Sequence, residues 1–374
     1  MILKYAMYIE SIELKDFRNY ESLSLKFNKG INVFYGKNAQ GKTNLLEAVY
    51  MAGTSKSHRS SRDRETIRFG AEEAHIKINF SRRDIPQRID MHIKKNKSKG
   101  IALNGVPIKR ASELFGIINI IFFSPEDLSI IKNGPSERRR FTDMELCQLN
   151  RIYVHDLISY NSILNQRNKL LKDPDINNYS VMLDVYDEQL CEFGRHIIDT
   201  RESFIERLNE TVRKKHALLT GDRERLEIFY EKNVSSDEFM SQLKRGRASD
   251  IRQHISLCGP HRDDIKFVIN GTDIRHFGSQ GQQRTAALSL KLAEIELVKE
   301  ITKDSPVLLL DDVLSELDSD RQRFLLKGIM DVQTLISSTG TDEFINNNFH
   351  IDEIFYVDSG KVIRGENNVY RKEF

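Results

Sequence analysis

The chain has 374 residues, of which 39% are hydrophobic and 30% are charged. This hydrophobic content is enough for one large core or two smaller ones, and it excludes a disordered protein. The 57 lysines and arginines outnumber the 55 acidic residues by only two, so a polyanion would have to bind local basic patches.

The first predicted elements are strands at 8–14, 23–27 and 31–35, followed by a helix that runs to about Met51. Residues 36–43, between the third strand and this helix, form the complete P-loop pattern G-x-x-x-x-G-K-T. Because the motif has its required strand before it and its helix after it, the sequence predicts a nucleoside triphosphate site.

The P-loop pattern predicts a role for each of its positions. The glycines allow backbone amides to approach the α and β phosphates, and Lys42 supplies a cation. We expect the Thr43 hydroxyl to bind Mg²⁺ and the helix N-terminus to add its positive dipole end. The predicted nucleotide-binding residues of this segment are Gly36, Lys37, Asn38, Ala39, Gln40, Gly41, Lys42, Thr43 and Asn44.

Further alternating strands are predicted at 76–80 and 89–93, and Asn104-Gly105 predicts a hairpin turn. Residues 135–193 contain no glycine, and their internal break at 173–178 predicts the tip of a helical hairpin. We therefore expect a discontinuous nucleotide-binding domain of residues 1–135 and 256–374. An inserted, mostly helical arm of residues 136–255, to which we assign no chemistry, would separate its two parts.

The last third of the chain returns to strands, at 307–310, 334–338 and 354–357. The apolar run 307–310 is typical of a buried parallel strand, and Asp311 and Asp312 follow it directly. Asp311 is the predicted Mg²⁺ ligand, together with Thr43, and Asp312 is the predicted general base. With Lys42, these carboxylates form the predicted catalytic set of an α/β protein.

A second candidate phosphate-binding segment, 277–284, precedes a long predicted helix. Ser279, Gly281 and Gln282 could donate toward a γ-phosphate from this helix N-terminus. Together with Lys42 and Asp311, the order of this segment resembles the signature segment of the ABC-type ATPases. That resemblance implies an ATP-dependent homodimer, in which the signature of one subunit covers the nucleotide held by the other.

A narrower resemblance is carried by the segments 15–20, the P-loop with 44–48, 123–128, 134–141, 259–264, 278–284 and 310–318. Through these segments the chain resembles the RecF family, bacterial recombination mediators related to the SMC proteins. The resemblance implies an ABC-type ATPase head with an inserted arm, and weak, DNA-stimulated ATPase activity with ATP and Mg²⁺. It also implies binding of double-stranded and gapped DNA, action with RecR and indirectly with RecO, and assistance to RecA in replacing single-strand-binding protein.

Two positions depart from the wider ABC pattern. Asp312 stands where many ABC enzymes have a glutamate, so we expect poorer positioning of water and slow turnover. The segment 337–340 has no histidine at the usual switch position, and Thr339 is expected to take part of that role. These departures predict a nucleotide-controlled switch.

Basic clusters predict contacts with the DNA backbone that do not depend on sequence. The main alternative function is the ATP-binding subunit of an ABC transporter, which the inserted arm and the arginine run at 138–140 fit poorly. The three cysteines lack C-x-x-C spacing, as expected of a protein in a reducing compartment. The N-terminal segment becomes charged too early for a signal sequence, and no apolar run is long enough to span a membrane. The sequence therefore predicts a cytoplasmic protein with no membrane partner. The candidate DNA-binding residues are Arg59, Lys94, Lys95, Lys97, Arg138, Arg139 and Arg140.

Overall fold

The computed structural model describes residues 7–60, 62–174, 180–340 and 349–365. The chain divides into two compact units. Met1–Leu128 and Lys291–Phe374 form the first unit, and Ser129–Leu290 forms the second. Among the described helices, none is both long enough and apolar enough to span a membrane.

In the described part of the first unit, one antiparallel sheet has the strand order β2-β1-β4-β5-β6-β7. Its strands alternate buried apolar residues with exposed polar ones, as expected of a sheet with one face on the core. The predicted Asn104-Gly105 turn is confirmed between β6 and β7, where both residues have positive φ, 53° and 83°. The strands are β1 (Met7–Phe17), β2 (Tyr20–Lys26), β4 (Glu73–Arg82), β5 (Ile85–Lys94), β6 (Lys97–Leu103) and β7 (Val106–Pro107).

The second sheet of the first unit has the order β15-β14-β3-β13-β12-β8 among the described strands. Its strands are parallel except for β15, and β8, β12 and β13 are buried along their whole length. Since β3, β12 and β13 are parallel neighbours, their C-terminal ends lie at one edge. The strands are β3 (Ile31–Tyr35), β8 (Ile120–Phe123), β12 (Val307–Asp311), β13 (Thr334–Ser338), β14 (Glu353–Asp358) and β15 (Lys361–Arg364).

Helices α1 (Lys42–Thr54) and α8 (Ser319–Gly328) also belong to the first unit. Helix α1 begins directly after the P-loop, and most of its residues are buried. Two further helices begin in the second unit near its end: α6 (Ile274–Phe277) and α7 (Gln280–Thr302).

The rest of the second unit combines helices with a three-stranded antiparallel sheet of order β11-β10-β9 within its described residues. Residues 175–179 of the predicted hairpin tip lie outside the described residues. The helices are α2 (Pro135–Leu149), α3 (Arg151–Leu170), α4 (Ser180–Thr220) and α5 (Phe239–Gln253), and the strands are β9 (Leu226–Glu231), β10 (Asp264–Ile269) and β11 (Thr272–Asp273).

Two features of this unit differ from the helical arm expected at 136–255. Helix α2 ends at Leu149, because Asn150 leaves the helical conformation and accepts hydrogen bonds from the amides of Ile152 and Tyr153. Strand β9 lies inside the expected arm but pairs with β10, which follows it. The compact unit therefore continues past residue 255, to Leu290.

The tight packing of Gly194 on α4 leads to a stability prediction. A Cβ at Gly194 would lie 2.4 Å from Phe239 Cε1 and 3.1 Å from Tyr160 Cε2. We expect Gly194→Ala to lower the free energy of unfolding by about 1–3 kcal/mol through overpacking. The matched change Gly246→Ala, on α5 with no atom within 4 Å of the new Cβ, should instead stabilise by about 0.5–1 kcal/mol. Urea unfolding of both variants tests this; equal effects would contradict the packing explanation.

Candidate nucleotide site

The P-loop connects the end of β3 at Tyr35 with the start of α1 at Lys42. Gly36 and Gly41 have positive φ angles of 153° and 120°. A Cβ at Gly36 would lie 2.3 Å from the main-chain oxygen of Val357, and one at Gly41 would lie 2.7 Å from Asn19 Nδ2. Backbone conformation and close packing therefore both require glycine at these two positions.

Lys42 is buried beneath the loop that it closes. Its ammonium group donates hydrogen bonds to the main-chain oxygens of Gly36, at 2.5 Å, and Lys37, at 2.9 Å. Burial lowers the pKa of Lys42, and the nearby carboxylates of Asp312 and Asp311 act in the opposite direction. The cation is thus positioned inside the loop, next to both predicted catalytic carboxylates.

The predicted metal-binding residues Thr43 and Asp311 lie in contact, although 268 positions separate them in the chain. The Thr43 hydroxyl donates to Asp311 Oδ1 at 2.8 Å. Ser337, at the end of the neighbouring strand β13, donates its hydroxyl to the same oxygen at 2.6 Å. A carboxylate and two hydroxyls are oxygen ligands of the type that Mg²⁺ prefers.

Asp312 follows β12 in a left-handed conformation, with φ 54°. Its amide donates to the Ser337 hydroxyl at 3.0 Å and to the main-chain oxygen of Ser337 at 3.2 Å. The side chain is half-buried beside the site, whereas Thr339, one residue beyond β13, is exposed. The ends of β12 and β13 thus bring Asp311, Asp312 and Thr339 to one edge of the sheet.

Two turns that were not predicted as part of the site hold the P-loop from outside. The Asn19 side chain, between β1 and β2, donates to the main-chain oxygen of Gln40 and accepts from the Asn44 side chain, both at 2.8 Å. Between β14 and β15, the amides of Ser359 and Gly360 donate to the Gln40 side-chain oxygen at 2.7 Å and to its main-chain oxygen at 3.0 Å. Both turns therefore fix the conformation of the P-loop at Gln40.

Arg18 and Arg59 tie the segment after α1 to that helix. Arg18 binds the buried carboxylate of Glu47 through two nitrogens, at 2.6 and 2.9 Å, and donates to the Ser60 hydroxyl at 2.6 Å. Arg59, a DNA candidate, is exposed and donates to Asn44 Oδ1 at 3.2 Å. Arg59 is therefore placed beside the nucleotide site.

The predicted signature residues lie in the second unit, at the start of α7. The Ser279 hydroxyl accepts from the amide of Gln282 at 3.2 Å, and the Gln282 side chain accepts from the amide of Ser279 at 3.0 Å. This reciprocal pair is a capping box, which explains why the helix begins here. Ser279 and Gly281 are exposed at the helix end, as a donor to an external phosphate must be.

The three arginines at 138–140, in the second unit, differ in their exposure to solvent. Arg138 is only 1% exposed, and its guanidinium binds both carboxylate oxygens of Asp264, at 2.6 and 2.9 Å. Arg139 is half-buried and donates to the main-chain oxygen of Asp263, whereas Arg140 is exposed. Arg138 therefore holds α2 to β10, which corrects its assignment to DNA, because a buried, paired guanidinium cannot reach a phosphate.

The candidate lysines Lys94, Lys95 and Lys97 surround the turn between β5 and β6 in the first unit. Lys94 lies 3.5 Å from a carboxylate oxygen of Glu73, and Lys95 lies 3.0 Å from one of Glu72. Lys97 is exposed. The cluster is thus accessible, although two of its charges have acidic neighbours.

Comparisons with known proteins agree with this geometry. The RecF/RecN/SMC N terminal domain family matches residues 8–362. The DNA replication and repair protein RecF of Lachnospira eligens is 58% identical over 360 residues, covering 96% of this chain and 99% of the relative. A solved structure of the recombination mediator protein RecF-ATP in the RecFOR pathway superposes with a TM-score of 0.89 at 36% identity, covering 97% of this chain and 99% of that one.

A Smc head domain derived from Pyrococcus furiosus, 19% identical, shares the fold with a TM-score of 0.59 over 98% of each chain. The predicted α/β class with an ABC-type ATPase head is confirmed by these structural neighbours. The family model matches nearly the whole chain, and the curated relative is 58% identical over 96% of it, so the chain belongs to the RecF family.

Proposed function

We propose that this chain is an ATP-dependent DNA-binding protein of recombinational gap repair. The observation that carries the proposal is the convergence of Lys42, Thr43 and Asp311 at one edge of the parallel sheet. Segments that are distant in sequence form this arrangement, and each residue supplies a group that a bound nucleoside triphosphate requires. Family membership supports ATP as that nucleotide.

The residues of the site fit ATP and Mg²⁺. The P-loop amides and the positive end of α1 would hold the phosphates, and Lys42 would neutralise them. Thr43 and Asp311 would hold Mg²⁺, which supplies charge neutralisation on the phosphates when bound. Ser337, in contact with Asp311, would keep the carboxylate oriented.

Asp312 is the proposed general base, since its carboxylate follows the metal ligand and its backbone is held beside the site by Ser337. It would accept a proton from the attacking water. Thr339, at the neighbouring strand end, would orient groups near the γ-phosphate. An aspartate is one methylene shorter than the glutamate of many ABC enzymes, which supports slow hydrolysis that times release.

In the assembled state that we propose, two copies close on ATP, and residues 279–282 of one copy cover the nucleotide of the other. The exposure of Ser279 and Gly281 supports this role. The closed dimer would act in the cytoplasm as a clamp on duplex DNA near gaps, binding RecR, acting indirectly with RecO and assisting RecA loading. Family membership does not favour the alternative of a transporter subunit.

The direct test measures fluorescence anisotropy of labelled duplex DNA titrated with the full chain, with and without ATP and Mg²⁺, at moderate salt. We expect nucleotide to strengthen binding. Light scattering of the same samples should show dimer only in the presence of ATP. DNA affinity that is undetectable in every nucleotide state would overturn the proposal.

Salt dependence tests the lysine cluster at the β5–β6 turn. We expect the double change Lys95→Gln and Lys97→Gln to weaken duplex binding without regard to sequence. It should also reduce the slope of log K against log salt concentration by about 0.9 for each phosphate that these lysines neutralise. The exposed pair Lys109→Gln and Lys303→Gln removes the same charge elsewhere and serves as the control. Equal slopes for the two double variants would remove the cluster from the DNA interface.

A further inference from the structure

A group of potential metal ligands lies on the exposed face of the antiparallel sheet in the first unit. His75 on β4 is the direct register partner of His92 on β5. Glu73 precedes His75 by two positions, and alternate residues of a strand share a face. The residue between them, Ala74, is buried on the opposite face with Ile76. The pleat therefore orients all three polar side chains to the same side.

The ligand atoms are already close together. Glu73 Oε2 lies 3.0 Å from His92 Nε2, and Glu73 Oε1 lies 3.8 Å from His75 Nε2. One ligand atom from each of the three residues can be chosen so that all lie within 4.8 Å of one another. In a tetrahedral site with bonds of about 2.0–2.1 Å, ligand atoms are separated by about 3.3 Å. Small side-chain rotations would therefore suffice to close these three around one ion.

We propose that Glu73, His75 and His92 form a binding site for a divalent transition-metal ion of the Zn²⁺ type. Two imidazoles and one carboxylate favour such ions over Mg²⁺ and Ca²⁺, which prefer oxygen ligands. His75 and His92 also line an open cleft of about 870 Å³, which leaves room for a further ligand. This site is separate from the residues that would hold Mg²⁺ at the P-loop.

The imidazole rings of His75 and His92 lie face to face. Their rings stack with centroids 3.9 Å apart and an interplanar angle of 23°, a close approach that two imidazolium cations would resist. Neutral imidazole is the form that binds metals.

Lys94 is the group that competes with a metal ion. Its ammonium lies 3.5 Å from Glu73 Oε2, so a bound cation would displace this ion pair. Removing the lysine charge should therefore strengthen metal binding, in contrast to removal of any ligand. Replacing His75 and His92 by alanine removes two ligands without removing a carboxylate, and this change distinguishes a metal site from a general effect of surface charge.

The test is a Zn²⁺ titration of the full chain without nucleotide, in competition with a chromophoric chelator and in excess Mg²⁺. We expect His75→Ala with His92→Ala to weaken binding at least tenfold, and Lys94→Gln to tighten it severalfold. The control pair is His155→Ala with His196→Ala, two exposed histidines that flank Asp156 at 3.2 and 3.4 Å in the second unit. This control should leave the titration unchanged.

Circular dichroism melting confirms that each variant is folded, and Glu73→Gln repeats the test where the double variant is unstable. Glu73→Gln should also weaken Zn²⁺ binding at least tenfold. If the Zn²⁺ affinity of the folded His75 and His92 variant, or of Glu73→Gln, equals that of the unmodified chain, the site does not exist. The result does not depend on whether the protein binds ATP or DNA.

Discussion

Replacement of Lys42 by alanine is expected to weaken ATP binding at least 100-fold, which corresponds to about 2.8 kcal/mol. The ammonium group is buried under the P-loop and donates hydrogen bonds to the main-chain oxygens of Gly36 and Lys37. Another cation could therefore replace it only if the conformation of the loop changed. Charge-assisted hydrogen bonds to phosphate are among the stronger polar interactions in proteins. We expect the ATP-dependent gain in DNA affinity to disappear with the nucleotide.

The measurement is isothermal titration of ATP with Mg²⁺ into Lys42→Ala, with the exposed Lys26→Ala as the matched removal of one lysine charge. Lys26→Ala should bind ATP like the unmodified chain. If Lys42→Ala retained full affinity and an unchanged melting temperature, the P-loop would not be the nucleotide site.

Asp312→Asn should separate binding from hydrolysis. A general base contributes about 100- to 10,000-fold to a rate, so turnover should fall by at least 100-fold while ATP affinity changes little. Asn accepts the left-handed backbone of Asp312, with φ 54°, so the change removes charge without backbone strain. The ATP-bound dimer should consequently accumulate and release DNA slowly.

Phosphate release and light scattering measure these two effects, and Asp331→Asn serves as a carboxylate control outside the site. The exposed Asp331 carboxylate accepts from the ammonium group of Lys299 at 2.7 Å, so its replacement should leave turnover intact. Normal hydrolysis by Asp312→Asn would refute its role as the base.

Each part of the site that was predictable from the sequence is recognised within one short segment of the chain. The P-loop is a local motif between a strand and a helix, and Asp311 follows an apolar run whose burial on both faces is evident from composition. Ser337, Asn19 and Ser359 could not be assigned in the same way. Their contacts with Asp311 and Gln40 depend on which strands become neighbours, and a short polar residue at a strand end gives no signal of its partner.

The errors in the second unit have similar causes. The charge of Arg138 indicates a surface residue, because arginine is seldom fully buried without a partner. Its partner, Asp264, is 126 positions away and could not be identified from the pattern. Asparagine favours helix N-caps, so Asn150 could have indicated the boundary between α2 and α3. The boundary was missed because the surrounding stretch contains no glycine.

The contacts around Gln40 also have a consequence for synthesis of the protein. The P-loop is translated early, but Asp311 follows Thr43 by 268 positions and Ser359 follows Gln40 by 319. A growing chain on the ribosome therefore carries an incomplete nucleotide site until nearly the whole polypeptide has emerged. Prematurely terminated products lacking β13–β15 would also lack Ser337 and Ser359, so they could not complete the contacts to Asp311 and Gln40.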